Sequence, residues 1–172
     1  MSNKYYVYIS FPCNQSFLFL ACLSSRPLLE YLSAPSFTAS NSSTNILTSP
    51  EMSLLNSASG WIADDGSGSN WIQANLLDHF HLLHVATQGH SSFEAWVISY
   101  SLQTGYTETH LAYILNVNGS AKVFDGNTNQ SSVVNNTLDD PVRAWLVRLD
   151  IVTFNNQPAI RWELYGCIAS KS

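Results

Sequence analysis

The sequence predicts an all-β fold, a jelly-roll β-sandwich or distorted barrel of about eight main antiparallel strands. Three observations carry that expectation. Short apolar runs recur along the chain with turn residues between them, and no stretch sustains helical periodicity. Near the carboxyl end, Ile160, Trp162 and Leu164 fall on one side of a two-residue repeat and Arg161, Glu163 and Tyr165 on the other. That is the pattern of a strand with one face in a core. With 172 residues and neither an internal repeat nor a linker, the chain reads as one domain, able to bury about two-thirds of its unfolded surface.

Taken in order, residues 1–21 carry Lys4 and the apolar run Phe17, Leu18, Phe19, Leu20, Ala21, a signal-peptide outline that Pro12, Asn14 and Gln15 interrupt. They are expected to be a signal-like or unstructured segment ahead of a domain at 22–167, with a tail at 168–172. Nothing else is long and apolar enough to span a bilayer as a helix. Residues 28–50 alternate short apolar pieces with a Ser/Asn/Thr loop, and 51–56 read as a helical turn or a strand. The stretch 64–70, acidic and rich in Gly and Ser, is a loop between two tryptophan strands. Strands are then expected at 71–76, 82–87, 95–102, 111–117, 121–124, 145–149 and 159–165. Asn118-Gly119 between apolar runs predicts a type I′ hairpin, and Asp139-Asp140-Pro141 predicts a turn.

Ala-Ile-Arg-Trp-Glu-Leu-Tyr-Gly-Cys at 159–167 resembles the close of a discoidin domain, also called a coagulation factor V/VIII type C domain. Further blocks resemble that family in the same order: Thr38-Ala39-Ser40, Gly60-Trp61, Trp71-Ile72-Gln73, Val85-Ala86-Thr87-Gln88-Gly89, Trp96-Val97-Ile98-Ser99-Tyr100-Ser101, Phe124-Asp125-Gly126-Asn127-Thr128-Asn129, Pro141-Val142 and Val147-Arg148. The resemblance runs from Cys22 to Cys167 and implies a galactose-binding-like jelly roll that recognises lipid headgroups, sugars or proteins through loops at one end. By position those loops are 45–49, 64–70 and 90–94, which makes Asn45, Ile46, Leu47, Asp65, Asn70, His90 and Phe93 the candidate ligand-binding residues. Departures from the family pattern include Asn75 for an aspartate, Leu77-Asp78 for a turn glycine, His110 and Phe154 for tryptophans, and Trp145-Leu146 for an Arg-aromatic pair. For Arg148, Arg161 and Glu163 a structural ion-pair role is expected.

Of the three cysteines, Cys22 precedes the first foldable segment and Cys167 closes the last strand, so these two are the candidate disulfide and Cys13 is the odd thiol. A first-to-last bridge belongs to an oxidising compartment, and the expected location is extracellular, secreted or at the cell surface. Asn41, Asn118, Asn129 and Asn135 head glycosylation sequons.

Twelve acidic against seven basic residues exclude nucleic acid as a natural partner. No Lys or Arg lies between Arg26 and Lys122, a span holding all three candidate loops, while Asp64, Asp65 and Glu94 lie within it. Anionic phospholipid therefore ranks below a cell-surface or matrix glycan or protein as partner. His79, His81 and His84 raise zinc, but His84 has the wrong strand parity and no acidic or thiol ligand keeps a fixed spacing, so no metal and no cofactor are expected. There is no nucleophile elbow or phosphate-cradling glycine loop, and the expectation is a binding module, not an enzyme.

Overall fold

The structure, a computed structural model, describes residues 22, 24–40, 48–63 and 68–169. Nine strands form within them: β1 (Arg26–Pro27), β2 (Phe37–Ala39), β3 (Trp61–Ile62), β4 (Trp71–Gln88), β5 (Trp96–Gly105), β6 (Leu111–Tyr113), β7 (Val123–Asp125), β8 (Val134–Asn155) and β9 (Ala159–Ile168). Their order across the sheet is β1-β9-β4-β8-β5-β6, with β2 on β4, β3 on β9 and β7 on β5, and every one of these pairings is antiparallel. The wrapped sheet encloses one main core, in which Trp61, Trp162, Tyr100, Leu82 and Leu149 are fully buried.

Two expected turns lie inside strands. β4 is continuous where a break between 76 and 82 was expected, and β8 runs through Asp139, Asp140 and Pro141. Both strands bend at bulges. In β4, Asn75 opposes Leu146 and Phe80 opposes Ala144, so 76–79 face a single residue, and in β8 138–141 lie between the partners of Leu82 and His84. Leu77 takes φ 62°, and its N–H donates to Asn75 Oδ1 at 3.0 Å. Pro141 has no N–H for the ladder, which makes a bulge the place a strand tolerates it. These bends let a few long strands wrap the core.

The hairpin at 116–120 also differs in type. Gly119 N donates to Asn116 O at 2.9 Å and Asn116 N to Ser120 O at 2.8 Å, while Gly119 alone of its residues has a positive φ, 83°. Val117 and Asn118 thus form a type I turn and Gly119 the left-handed bulge position, a three-residue loop in place of type I′.

β9 is buried on both faces, from Ala159 to Leu164 without a break, and pairs with β1, β3 and β4. The side holding Arg161 and Glu163 is therefore interior, contrary to a one-sided strand. Glu163 Oε1 accepts from the backbone N–H groups of Leu28 (3.0 Å), Leu29 (2.6 Å) and Leu164 (2.9 Å). Arg148 lies over the Trp71 ring at 3.9 Å and donates from Nε to Gln73 Oε1 at 3.0 Å. The role of all three is structural, but they work through amides and an aromatic face; the ion pair among the described residues is Lys122–Asp139 at 2.6 Å. Gly166 leaves room for the His81 carbonyl where a Cβ would collide. The strand continues past it to Ile168, and Ala169 N donates to His79 O at 2.9 Å, so of the residues expected to form a tail Ile168 belongs to the sheet and Ala169 is bonded to it. Cys22 and Cys167 are bonded, with Cα atoms 5.5 Å apart across 145 residues of sequence.

Candidate functional site

Two segments meet at one end of the strands. The first begins with a 3-10 turn at Pro50–Ser53, whose Ser53 Oγ donates to Pro50 O (2.6 Å) and accepts from Trp162 Nε1 (3.0 Å). It then passes Asn56, in the left-handed region at φ 63°, whose N–H donates to Gln88 Oε1 at 2.9 Å. The second segment starts at Gly89, where an added Cβ would lie 2.7 Å from Gln130 Cα. His90 N donates to Ala95 O at 2.9 Å, and Ser91 N and Oγ donate to Ser59 O (3.1 Å) and Ala58 O (2.6 Å). Arg161 braces both from below, donating to Gly89 O (2.7 Å), Ser57 O (3.0 Å) and Gln130 O (3.1 Å).

Between the segments lies a cleft of about 360 Å³, with Thr48, Met52, Ala58 and Ser59 on one wall and His90, Ser92 and Phe93 on the other. His90 is 2 % exposed and forms the floor of its wall. Its Nδ1 accepts from Ser92 N at 3.1 Å, which puts the ring proton on Nε2, 3.4 Å from Ser59 Oγ. Burial, and then the nearby Arg161 guanidinium, holds this ring below the usual imidazole range, so it is neutral at physiological pH. Phe93 packs against His90 with ring centroids 4.7 Å apart, yet 55 % of its surface faces solvent. The next residue anchors it: Glu94 O accepts from Asn155 Nδ2 (2.9 Å) and Asn156 Nδ2 (2.6 Å). The described lining thus sets an apolar ring on a hydrogen-bonded loop beside hydroxyls, with no charged side chain among the described lining residues.

The sequence pattern of the F5/8 type C domain matches residues 36–164. The chain belongs to that family. As an F5/8 type C domain it is 27 % identical to discoidin-2 of Dictyostelium discoideum over 151 residues, 86 % of this chain and 57 % of that protein. It is 33 % identical to mouse retinoschisin over 112 residues, 64 % of this chain and 50 % of that protein. The chain thus spans about half the length of these relatives. The solved wild-type discoidin II of D. discoideum superimposes with a TM-score of 0.73 at 23 % identity, over 87 % of this chain and 60 % of that one. The family 32 CBM from C. perfringens NanJ, solved in complex with galactose, does so with a TM-score of 0.60 at 13 % identity, over 83 % and 99 %. Both share the fold.

Within this F5/8 type C domain, the expected loop residues separate. His90 and Phe93 line the cleft. Asn70 does not; it is buried ahead of β4, where its carbonyl accepts from Ile151 N at 2.9 Å. Asn41, Asn45, Ile46, Leu47 and Asp65 lie outside the described residues. Met52, Ala58 and Ser59 were not expected at the site; Pro50 and Gly60 bracket their segment, and Gly60 takes φ 153° beside His90. Of the histidines weighed for zinc, His79 lies edge-on to Tyr106 and Trp145, and His84 stacks on Tyr165 at 4.3 Å.

Proposed function

We propose that this domain is an extracellular, non-catalytic recognition module that takes an uncharged glycan in the cleft beside Phe93. The observation that carries the reading is the exposed, braced Phe93 ring next to the hydroxyl-bearing Ser59 and Ser92. An apolar sugar face stacks on such a ring while hydroxyls exchange hydrogen bonds at its edge. The galactose complex of the NanJ module, which shares the fold, supports it. A non-catalytic role is supported by the lining: its one titratable side chain among the described residues is His90, and both ring nitrogens are occupied. The Cys22–Cys167 bridge supports an oxidising compartment. Anionic phospholipid fits less well, since 27–121 is without Lys or Arg and Glu94, the residue after Phe93, is exposed. A second reading, a protein partner seated on Met52 and Phe93 as an apolar anchor, rests on the same exposed ring.

The test is a glycan array run beside sedimentation with vesicles with and without phosphatidylserine. Saturable glycan binding, competed by free sugar and reduced at least tenfold by Phe93→Ala with an unchanged melting curve, is expected. Phosphatidylserine-dependent sedimentation without glycan binding would replace this reading by the lipid one.

A further inference from the structure

A second groove, about 390 Å³, shares no lining residue with the cleft; Leu115 and Val117 form one side and Leu138 and Val142 of the β8 bulge the other. Val117, at the hairpin tip, is fully exposed, and Leu115 and nearby Val123 are more than half exposed. This is a run of apolar surface on a secreted-type fold with nothing over it among the described residues. The next residue after Val117 is Asn118, which opens the sequon Asn118-Gly119-Ser120.

We propose that Asn118 carries an N-linked oligosaccharide, which covers this apolar tip. In the turn the first and third residues of the sequon are bonded to each other. Ser120 donates to Asn118 Oδ1 from both its N–H (3.0 Å) and its Oγ (2.7 Å). Two donors on one carbonyl oxygen polarise the carboxamide, and Nδ2 is left with no protein partner among the described residues, on an exposed turn. The other described sequons lack this arrangement. Asn129 is also exposed, but its Nδ2 is engaged, donating to Ser132 Oγ (2.9 Å), and its Oδ1 accepts from Ser131 N (2.8 Å) and Ser132 N (2.7 Å), the second donor coming from Ser132 and not from the sequon hydroxyl. Asn135 and Thr137 sit in extended β8, paired with Ala86 and His84.

The donor is a lipid-pyrophosphate-linked oligosaccharide. A bond forms between Asn118 Nδ2 and the sugar's anomeric carbon, the bond from that carbon to the pyrophosphate oxygen breaks, the lipid pyrophosphate leaves with the bonding pair, and Nδ2 loses one proton to a base of the transferase. The proposal rests on the extracellular reading, and the experiment separates the two. The full chain is expressed in a eukaryotic secretory host in two forms, as it stands and behind an added cleavable leader. Each is treated with an amidase that cleaves the Asn–sugar bond in heavy-oxygen water, and peptides are mapped. In the leader form, isotope at position 118, and a gel shift lost in Asn118→Gln and Ser120→Ala, are expected. An unmarked Asn118 in secreted leader-form protein overturns the proposal. Leader-form protein that carries the mark but is retained inside the host counts against the location reading and leaves the Asn118 result standing. Enzymatic removal of the sugar is expected to raise binding of an apolar dye, an increase that Val117→Ser reduces; unchanged dye binding overturns the covering role.

Discussion

The guanidinium of Arg161 donates from Nε to the carbonyl oxygen of Gly89 at 2.7 Å, joining the last strand to the first residue of the loop that carries Phe93. The same group reaches Ser57 O and Gln130 O, so one buried cation sets the positions of three loops. Truncation removes all three bonds and leaves their acceptors under a cavity. Arg161→Ala is expected to cost about 3 kcal/mol in urea unfolding, and Arg161→Lys less, since an ammonium cannot reproduce the fork. If glycan affinity falls in a folded Arg161→Lys variant, the brace acts on the site as well as on stability.

Glu163 is expected to show a pH signature. Burial is the largest influence and raises its carboxyl above the usual 4.5, while the amides of Leu29, Leu164 and Leu28 oppose the rise. A folded-state pKa above the unfolded one means that the native protein binds the proton first. Stability from this group is therefore present below about pH 4.5 and is lost as pH rises through the folded value. Glu163→Gln, which keeps an acceptor oxygen, is expected to match the parent near pH 4 and equal or exceed it near pH 7. Glu163→Ala is expected to lose about 3 kcal/mol near pH 4, because Leu29 and Leu164 lose a buried acceptor, and less near pH 7. Urea midpoints at the two pH values decide it.

Leu77 holds φ 62° with 57 % of its surface exposed, a left-handed conformation with little packing in return. For an L residue this costs about 1–2 kcal/mol, which glycine avoids at some cost in unfolded-chain entropy. Leu77→Gly is expected to stabilise the domain by about 0.5–1 kcal/mol. An unchanged or lower midpoint would show that the side chain contributes packing that outweighs the strain.

The Cys22–Cys167 bridge closes a loop of 145 residues. Chain-entropy reasoning puts its contribution at up to about 5 kcal/mol, a large share of a typical stability of about 5–15 kcal/mol. Reductant is expected to lower the melting temperature, and Cys22→Ser to remove the reductant dependence. A melting curve that ignores reductant would show the bridge to be idle.

What the sequence by itself determined was what short-range chemistry encodes: an all-β chain, the alternation of the last strand, and the two bonded cysteines. Period-two patterning and turn residues act over a few positions, so they survive without the fold. Only the tertiary structure decided that 71–88 and 134–155 are single bent strands, because a bulge is defined by the register of its partner, as Asn75 with Leu146 and Phe80 with Ala144 show. It also decided that Arg161 and Glu163 are interior, since a charged side chain enters a core when distant backbone groups such as Gly89 O and Leu29 N are there to meet it. The wall of Met52, Ala58 and Ser59 opposite Phe93 has the same origin: bonds such as Ser91 to Ala58, some thirty residues apart in sequence, close the cleft, and no local pattern records them.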